Sequence, residues 1–282
     1  MPSPITPFEF RGNFYHIKRD DLLRPFEGNK ARKFYYFLKN DFPHIKKLIS
    51  FGSNQSNAMY AMSELCKIKG WEFIYYTHHI PSFLKQNPHG NYLKALQNGA
   101  KIIEVGLRGD CLREFVLKFK DDDTLVIEEG GRVRESEEGI KILADEINEY
   151  CLKNSLKVFL PSGTGTTAYF LAKHLDVEVI TTTCVGDREY LKKQFELLGG
   201  GKAPTIISPK RKYHFGKLYK HLYLLWQELK EAGVEFDLLY DPIGWEVVLE
   251  NRLFDVLYIH QGGLYGNESM LRRYKRRFDI ML

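Results

Sequence analysis

The segment Lys47–Asn57 reads KLISFGSNQSN and places a short apolar run directly before a polar turn. The run, residues 47–51, has the length and the β-branched and aromatic content of a buried strand, and a strand is predicted there. After the turn, residues 55–69 have the apolar spacing of an amphipathic helix. A helix that begins there presents free N–H groups and the positive end of its dipole, which favours a carboxylate. A purely structural turn with Ser or Asn as N-cap is the alternative.

The same order of strand, turn and helix recurs along most of the chain. Further strands are predicted at 71–77, 101–105, 124–127, 157–160, 178–183, 205–207, 236–240 and 255–260. Helices are predicted at 30–40, 55–69, 83–98, 137–152, 165–175, 215–231 and about 247–252. This alternation is typical of open, mainly parallel sheets with helices on both faces, so the sequence predicts an α/β fold.

The composition is that of an ordinary globular protein. The chain has 282 residues and a mass of 33.0 kDa, and 44% of the residues are hydrophobic. That length suits one large domain or two modest ones. No apolar run approaches the ~20 residues of a membrane span, and residues 1–12 have neither a basic leader nor an apolar run. We therefore expect a cytoplasmic protein that does not contact the membrane.

Cysteine, histidine and charge patterns argue against several other classes. The four cysteines form no CxxC pair, which argues against a zinc site or a dithiol redox centre. His78-His79 lacks an acidic or cysteine partner at ligand spacing, so no metal is predicted. Much of the net charge of +5 lies at residues 272–278. We interpret these residues as a solvated helix face, because no nucleic-acid recognition motif accompanies them.

A lysine lies where a polar stretch turns into the first predicted helix, in Gly28-Asn29-Lys30-Ala31-Arg32-Lys33. A lysine held among other cations at a helix start can have a lowered ammonium pKa, and a neutral amine is what reaction with a carbonyl cofactor requires. Lysine-rich turns of surface helices are more commonly only solvated. Lys30 is therefore a candidate nucleophile whose assignment depends on the other motifs.

A second polar turn, at residues 161–167, joins a predicted strand to a predicted helix. Its small residues are Gly163, Thr164, Gly165, Thr166 and Thr167. Flexible backbone and three hydroxyls can surround a phosphate with N–H and O–H donors. The turn lacks the lysine of a nucleotide P-loop and the GxGxxG spacing. It therefore fits a monoester phosphate better than a triphosphate, and a structural turn is the alternative.

Two further turns follow predicted strands towards the end of the sequence. Tyr240-Asp241-Pro242 closes the strand predicted at 236–240, and His260-Gln261-Gly262-Gly263 closes the one at 255–260. Backbone geometry alone explains each turn. In open α/β sheets, however, ligands bind at the carboxyl ends of the strands, where all four turns are predicted to lie.

The order of these motifs is more specific than any one of them. It resembles the tryptophan-synthase-like pyridoxal-phosphate enzymes, and more narrowly the 1-aminocyclopropane-1-carboxylate deaminase and D-cysteine desulfhydrase family. The resemblance spans roughly residues 14–265. The motifs that carry it are Lys18-Arg19-Asp20-Asp21, Gly28–Lys33, Asn54-Gln55-Ser56-Asn57, Gly90-Asn91-Tyr92-Leu93 with Leu96 and Gly99-Ala100, Glu129-Gly130-Gly131, Ser162–Thr166 and the two C-terminal turns.

The resemblance implies pyridoxal 5'-phosphate as the cofactor and a role for each residue that matches. Lys30 would bind the cofactor covalently and later move a proton at the substrate α-carbon. Asn57 would hydrogen-bond the ring oxygen, and residues 163–167 would hold the phosphate. Asp241 is the preferred partner of the pyridine nitrogen, because its charge would keep the ring protonated. Gln261, where many desulfhydrases have threonine, is the alternative.

The substrate side of the site is implied in the same way. Ser56, with Asn54, Gln55 and the N–H groups of the helix start, would bind the substrate carboxylate. Ser56 would also take part in proton transfer, as it can in the family. Tyr240 would pack near the ring or the substrate. The family sequence Tyr-x-Gly-Lys is replaced here by Tyr240-Asp241-Pro242-Ile243, and an acidic residue after the tyrosine is typical of the deaminase branch.

The resemblance further implies the fold type II arrangement, with two open, mainly parallel twisted sheets flanked by helices, and a homodimer. We expect residues 1–36 and 136–282 to form a larger cofactor-binding domain and residues 37–135 a smaller one.

The implied function is a deaminase or carbon–sulfur lyase that acts on a small amino acid and releases ammonia and a 2-oxo acid. Elimination of the D-cysteine type and ring opening of 1-aminocyclopropane-1-carboxylate both fit. An inactive relative that binds the cofactor or an amino acid is one alternative, and an unrelated doubly wound nucleotide-binding protein is another.

Overall fold

A computed structural model describes residues 2–26 and 28–279. The strands within these ranges are β1 (Ile5–Phe10), β2 (Asn13–Arg19), β3 (Lys47–Phe51), β4 (Glu72–Thr77), β5 (Lys101–Glu104), β6 (Thr124–Val126), β7 (Lys157–Ser162), β8 (Val179–Thr183), β9 (Thr205–Ile206) and β10 (Val256–His260). The α-helices are α1 (Asn29–Lys33), α2 (Tyr35–Lys39), α3 (Asn57–Lys69), α4 (Ser82–Gln86), α5 (Gly90–Gln97), α6 (Gly109–Leu117), α7 (Ser136–Lys153), α8 (Thr166–His174), α9 (Arg188–Leu198), α10 (Lys220–Glu231), α11 (Asp241–Glu250) and α12 (Tyr265–Phe278).

The larger sheet has the strand order β1-β2-β10-β7-β8-β9. β1 and β2 are antiparallel, and the other neighbouring pairs are parallel. Every residue of β10 is buried, because helices cover both faces of the sheet. Leu257 and Ile259 pack in the core formed with α7, α8 and α9. Tyr258 faces the other way and stacks on Trp245 of α11, with ring centroids 4.7 Å apart.

The smaller sheet has the order β5-β4-β3-β6, and all of its strands are parallel. Leu48 of β3 packs in the core that contains the apolar residues of α3. Ile49, on the opposite face of β3, packs with Leu112 and Val116 of α6. Helices therefore flank this sheet on both faces as well. The predicted α/β fold with two mainly parallel, helix-flanked sheets is confirmed.

One predicted strand is wrong. Residues 236–240 form a turn that leads into α11, not a strand. The Asp237 carboxylate accepts hydrogen bonds from the N–H groups of Leu239 (2.8 Å) and Tyr240 (2.6 Å), which closes the chain on itself. α11 then begins at Asp241, six residues before its predicted start, with Pro242 in its first turn, where proline is favoured.

The sequence analysis also missed the hairpin formed by β1 and β2. Its loop is Arg11-Gly12, and both residues have a positive φ, of 48° and 72°, as a type I' turn requires. Pro7 lies in β1, which is tolerated because β1 is an edge strand. The helix predicted at 30–40 is two helices that meet at Phe34, and the one predicted at 83–98 is interrupted at residues 87–89. α6 and α9 lie between predicted strands, where helices were expected, but no bounds were predicted for them.

The strands of the smaller sheet fall inside the predicted smaller domain, residues 37–135, and those of the larger sheet fall outside it. The domain boundaries themselves stay a prediction. Over residues 2–26 and 28–279, no helix is both long enough and apolar enough to cross a membrane. In the same ranges, no group of three or more His, Cys, Asp or Glu residues could hold a metal ion.

Candidate active site

A cavity of about 470 Å³ is lined by the turns that follow β3, β7 and β10, together with α1 and one face of α12. Most of the predicted site residues line it: Lys30, Gln55, Ser56, Asn57, Gly163, Thr164, Gly165, Thr166, Thr167, Tyr240, Asp241 and Gln261. Asn54 is not among them. Its side-chain amide donates to the carbonyl oxygen of His79 at 2.6 Å, so this side chain stabilises the loop after β4.

Lys30 lies at the second position of α1 and lines the cavity. Burial lowers the pKa of its ammonium group to about 8, and the attraction of the Asp237 carboxylate opposes this shift. One turn later, Lys33 is buried and donates to the carbonyl oxygen of Gly130 at 3.1 Å. Burial, and then the neighbouring charge of Lys30, holds the pKa of Lys33 well below its ordinary value. The cavity therefore contains an amine that is partly neutral near pH 7.

Buried ion pairs fix α1 in place. Arg32 donates to Asp20 (2.8 Å) and to Glu146 of α7 (2.7 Å), and the Arg32 side chain is almost fully buried. Lys18 of β2 also binds Glu146, at 2.7 Å. Removing one member of such a network leaves an unpaired charge in the interior, which is strongly destabilising. The network therefore links the motif Lys18–Asp21 to the motif that contains Lys30.

Gly28 and Asn29 attach the start of α1 to the turn after β10. Gly28 has a φ of 68°, and a Cβ on it would lie only 1.7 Å from the backbone oxygen of Gln261. The N–H of Asn29 donates to that same oxygen at 2.9 Å. The Gln261 side chain accepts from the Asn29 amide (2.8 Å) and donates to the carbonyl oxygen of Pro161 (2.6 Å). Gln261 therefore connects α1 to the end of β7.

The turn between β3 and α3 satisfies several of its own backbone N–H groups. The Ser56 hydroxyl oxygen is the N-cap of α3 and accepts from the N–H groups of Ala58 (3.1 Å) and Met59 (3.4 Å). Asn57 accepts a hydrogen bond from the Asn91 side chain at 2.6 Å. The Gln55 side chain binds backbone groups at the start of α5. These contacts hold Ser56 and Asn57 in the cavity wall.

The turn between β7 and α8 is built differently. Gly165 is the N-cap of α8 with a φ of 70°, and no side chain caps the helix. The hydroxyls of Thr164 and Thr166 lie 3.1 Å apart. The Thr167 hydroxyl is buried without a hydrogen-bond partner in the part of the chain that the structure describes. A Cβ on Gly163 would come within 3.3 Å of the Tyr240 ring. The start of α8 thus lines the cavity without a side-chain cap, next to a buried hydroxyl that has no partner among the described residues.

Tyr240 and Asp241 begin α11 instead of ending a strand. The Asp241 carboxylate accepts from the Tyr258 hydroxyl (2.7 Å) and from the N–H of Asp237 (3.0 Å). Burial, and then the nearby Asp237 carboxylate, raises the pKa of Asp241 well above its ordinary value. The same two causes raise the pKa of Tyr240. Tyr240 therefore keeps its proton at neutral pH and acts as a donor.

The sequence analysis assigned no role to several side chains that line the cavity: Lys33, Glu129, Asp237, Ser269 and Arg273. Asp237 was not identified from the sequence, because its neighbours are apolar and predicted a strand. An Asp five residues before a Pro is nevertheless compatible with a turn before a helix. Ser269 and Arg273 follow Gly266 at helical spacing, which places them on one face of α12. The sequence shows this spacing, but it does not show that this face of α12 lines the cavity.

Three solved structures illustrate what the chain is similar to. An ACC deaminase homologue superposes with a TM-score of 0.79 at 21% identity and covers 96% of this chain and 94% of its own. A threonine deaminase from T.th. has a TM-score of 0.64 at 15% identity, with coverages of 93% and 92%. The Escherichia coli diaminopropionate ammonia lyase has a TM-score of 0.68 at 14% identity, with coverages of 99% and 87%.

No protein-family model and no curated protein sequence matches this chain. At these identities the structural likeness establishes the fold. The chain has the fold of these deaminase and ammonia-lyase structures over nearly its whole length, and the predicted fold type II arrangement is confirmed.

Proposed function

We propose that this protein is a pyridoxal 5'-phosphate-dependent deaminase or lyase that acts on a small amino acid and releases ammonia and a 2-oxo acid. One observation carries the proposal. The amine of Lys30, with its pKa lowered to about 8, and the donor-rich turn before α8 line the same cavity of about 470 Å³. A cavity of that size suits a small cofactor together with a small substrate.

The residues present fit this cofactor. The Thr167 hydroxyl, which has no partner within residues 2–26 and 28–279, and the start of α8, which has no side-chain cap there, would supply donors that a phosphate monoester requires. Lys30 would bind the aldehyde carbon, and Asn57 would hydrogen-bond the ring oxygen. The absence of a Cβ at Gly163 leaves room beside the Tyr240 ring, where an aromatic cofactor would pack. When bound, pyridoxal phosphate supplies an electron sink for negative charge at the substrate α-carbon.

The protein's own groups supply orientation and proton transfer. The Ser56 hydroxyl and the N–H groups at the start of α3 would bind the substrate carboxylate. Lys30 would move the proton at the α-carbon, since a pKa near 8 lets it exist as base and as acid at working pH. Tyr240, whose pKa is raised, would donate a proton or a hydrogen bond rather than accept one.

We assign the pyridine nitrogen to Asp241. The Gln261 amide binds Asn29 and Pro161. The Asp241 carboxylate accepts from Tyr258 and from the N–H of Asp237, but it keeps further lone pairs, and a protonated ring nitrogen would offset the burial that raises its pKa. Asp241→Asn is expected to lower turnover about 100-fold while the protein retains the cofactor. Turnover and cofactor absorbance, measured on the same preparation, test this. Unchanged turnover would indicate that Gln261, and not Asp241, is the partner of the pyridine nitrogen.

Two reactions remain the finer candidates, namely β-elimination of the D-cysteine type and ring opening of 1-aminocyclopropane-1-carboxylate. The ACC deaminase homologue, which has a TM-score of 0.79, supports the second. The amino-acid deaminase and ammonia-lyase neighbours support elimination. An inactive relative that binds the cofactor without turnover is the alternative function. A homodimer is proposed from the family resemblance alone, and a cytoplasmic location stays a proposal.

The test begins with purified protein incubated with pyridoxal 5'-phosphate. We expect an absorbance band of the lysine-linked cofactor, and we expect the adduct on Lys30 after borohydride reduction and digestion. Lys141→Ala, at an exposed position of α7, is the matched control. Label on another lysine would contradict the assignment of Lys30 as the residue that binds the cofactor. Release of pyruvate or 2-oxobutanoate from D- and L-amino acids then separates an enzyme from an inactive relative.

A further inference from the structure

Glu129 places a carboxyl group in the cavity wall that the proposed reaction does not use. It lies in the short turn between β6 and α7, where it is exposed and lines the cavity. A Cβ on Gly52, at the end of β3, would lie 3.0 Å from its Oε1 atom. The carboxyl group is therefore close to the turn before α3, where we propose that the substrate carboxylate binds.

Within the part of the chain that the structure describes, no cation forms a salt bridge with this carboxyl group. Among residues 2–26 and 28–279, no side chain forms a hydrogen bond or a salt bridge with Glu129. Arg132 is the cation whose charge acts on it, but the Arg132 guanidinium is bound by Glu128 and by Gln194. The other titratable groups on which its charge acts are neutral phenols, namely Tyr75, Tyr190 and Tyr240.

Burial raises the pKa of Glu129, and the charge of Arg132 only partly opposes this. An unpaired carboxylate in a partly desolvated site is unfavourable, and here it would also repel a second carboxylate bound at the start of α3. Two arrangements relieve this: a proton on Glu129, or a cation that arrives with the ligand. A cationic group on the ligand offsets both the cost of burying the Glu129 carboxylate and its repulsion of the substrate carboxylate. Such a ligand therefore gains affinity that a ligand with a neutral side chain does not.

We propose that Glu129 is a specificity-determining residue that binds a second, positively charged amino group on the side chain of the substrate. This rests on the proposed function and narrows its substrate class to small diamino acids. The ammonium group would meet Glu129 while the α-carboxylate meets the start of α3 beside it, so each charge of the ligand would meet a group of opposite polarity.

The probes are 2,3-diaminopropionate, serine and O-phosphoserine, which differ mainly in the charge of the side chain. Calorimetry measures their binding to the wild type, to Glu129→Gln and to Glu135→Gln, a control at an exposed neighbouring position. We expect the wild type to bind 2,3-diaminopropionate most tightly. Glu129→Gln should weaken that binding about 10- to 100-fold, as expected for a hydrogen bond to a charged group, and should change serine binding little. Glu135→Gln should match the wild type.

Turnover gives a second measurement on the same variants. Elimination from 2,3-diaminopropionate removes the α-proton and breaks the bond between the β-carbon and its nitrogen. Addition of water to the remaining imine then yields pyruvate and a second ammonia. We expect Glu129→Gln to lower kcat/KM for this substrate and to leave kcat/KM for serine within about 3-fold, a difference smaller than one weak hydrogen bond.

Tighter binding of O-phosphoserine by the wild type, or equal binding of serine and 2,3-diaminopropionate, would overturn the inference. So would an equal loss for all three ligands in Glu129→Gln, because a structural or proton-transfer role predicts that pattern. The absorbance band of the lysine-linked cofactor is recorded separately. Its absence would contradict the proposed function, whereas the calorimetric preference for the diamino acid reports on Glu129 alone.

Discussion

Two strand-to-helix turns line the cavity, and they satisfy their helix starts in opposite ways. Before α3, the Ser56 hydroxyl caps two backbone N–H groups. Before α8, Gly165 occupies the cap position without a capping side chain, and the Thr167 hydroxyl has no partner among the described residues. A side-chain cap contributes about 1 kcal/mol to a helix, so the start of α8 lacks a contribution that the start of α3 has.

The difference supports the ligand that we propose for each turn. Donors without a protein partner favour an anion that stays bound, because only the ligand satisfies them. A turn that is already capped keeps its shape when it is empty, which suits a ligand that arrives and leaves with every reaction cycle. We therefore assign the permanent phosphate to the turn before α8 and the exchanging carboxylate to the turn before α3.

Removing the amine that lies between the two turns should have the largest effect. In Lys30→Ala both turns remain, but nothing holds the cofactor covalently or moves the proton at the α-carbon. We expect turnover to fall about 1,000-fold or more, with an unchanged circular dichroism spectrum. Release of the 2-oxo acid is the measurement, and Lys141→Ala is the control. Residual activity within 10-fold of the wild type would show that the reaction does not require Lys30.

The pH dependence of cofactor attachment should be the next largest effect. Because burial lowers the pKa of Lys30 to about 8, its neutral fraction rises with pH below that value and levels off above it. The rate at which pyridoxal phosphate attaches should therefore rise about 10-fold per unit from pH 6 and become nearly constant by pH 9. Stopped-flow absorbance measures this rate, and labelling of exposed Lys141 is the reference. A rate that is independent of pH from 6 to 8 would contradict the assignment.

Thr167→Val tests the unsatisfied turn. Valine has nearly the same shape but no hydroxyl, so we expect the Kd of the cofactor to rise about 10-fold. Without cofactor, the variant should be more stable than the wild type by roughly 1 kcal/mol, because a buried hydroxyl without a partner is lost. Urea unfolding and cofactor titration provide the two values. A loss of stability in the cofactor-free protein would show that the hydroxyl already has a partner.

Ser56→Ala tests the capped turn and should have the smallest effect on the cofactor. We expect the cofactor-free protein to lose about 1 kcal/mol of stability, since the cap of α3 is removed. The KM for substrate should rise several-fold, because the hydroxyl is one of several donors to the carboxylate, while the Kd of the cofactor stays within about 2-fold. The two variants should thus change stability in opposite directions. A change in stability of the same sign in both variants would contradict the proposed difference between the two turns.

The parts of the fold that were predicted correctly are those where an apolar run ends abruptly at polar residues. β3 was predicted with its observed bounds, and most other strands of the parallel sheets within one residue. Buried parallel strands are continuous apolar runs, so their limits are visible in composition. The segment 236–240 has the same composition but turns, because Asp237 accepts from two following N–H groups. One side chain there outweighed the local apolar pattern.

The candidate site was predictable only where turn chemistry identified it. Lys30, Ser56 and the turn at 163–167 each follow from a residue type at a strand or helix boundary. Glu129 and Arg273 reach the cavity through the packing of β6, α7 and α12, which no local pattern encodes. Asn54 illustrates the converse, because its place in the motif suggested a ligand role and its side chain instead binds the backbone of His79.

The contact between Gly28 and Gln261 has a consequence for synthesis of the protein. Residues separated by more than two hundred positions must meet before the reactive amine is held in place. A ribosome has to pass residue 261 first, so a growing or prematurely terminated polypeptide keeps Lys30 as an ordinary solvated side chain. We therefore expect the proposed cofactor to bind Lys30 only after residue 261 has been synthesised, so shorter products should not be labelled at this position.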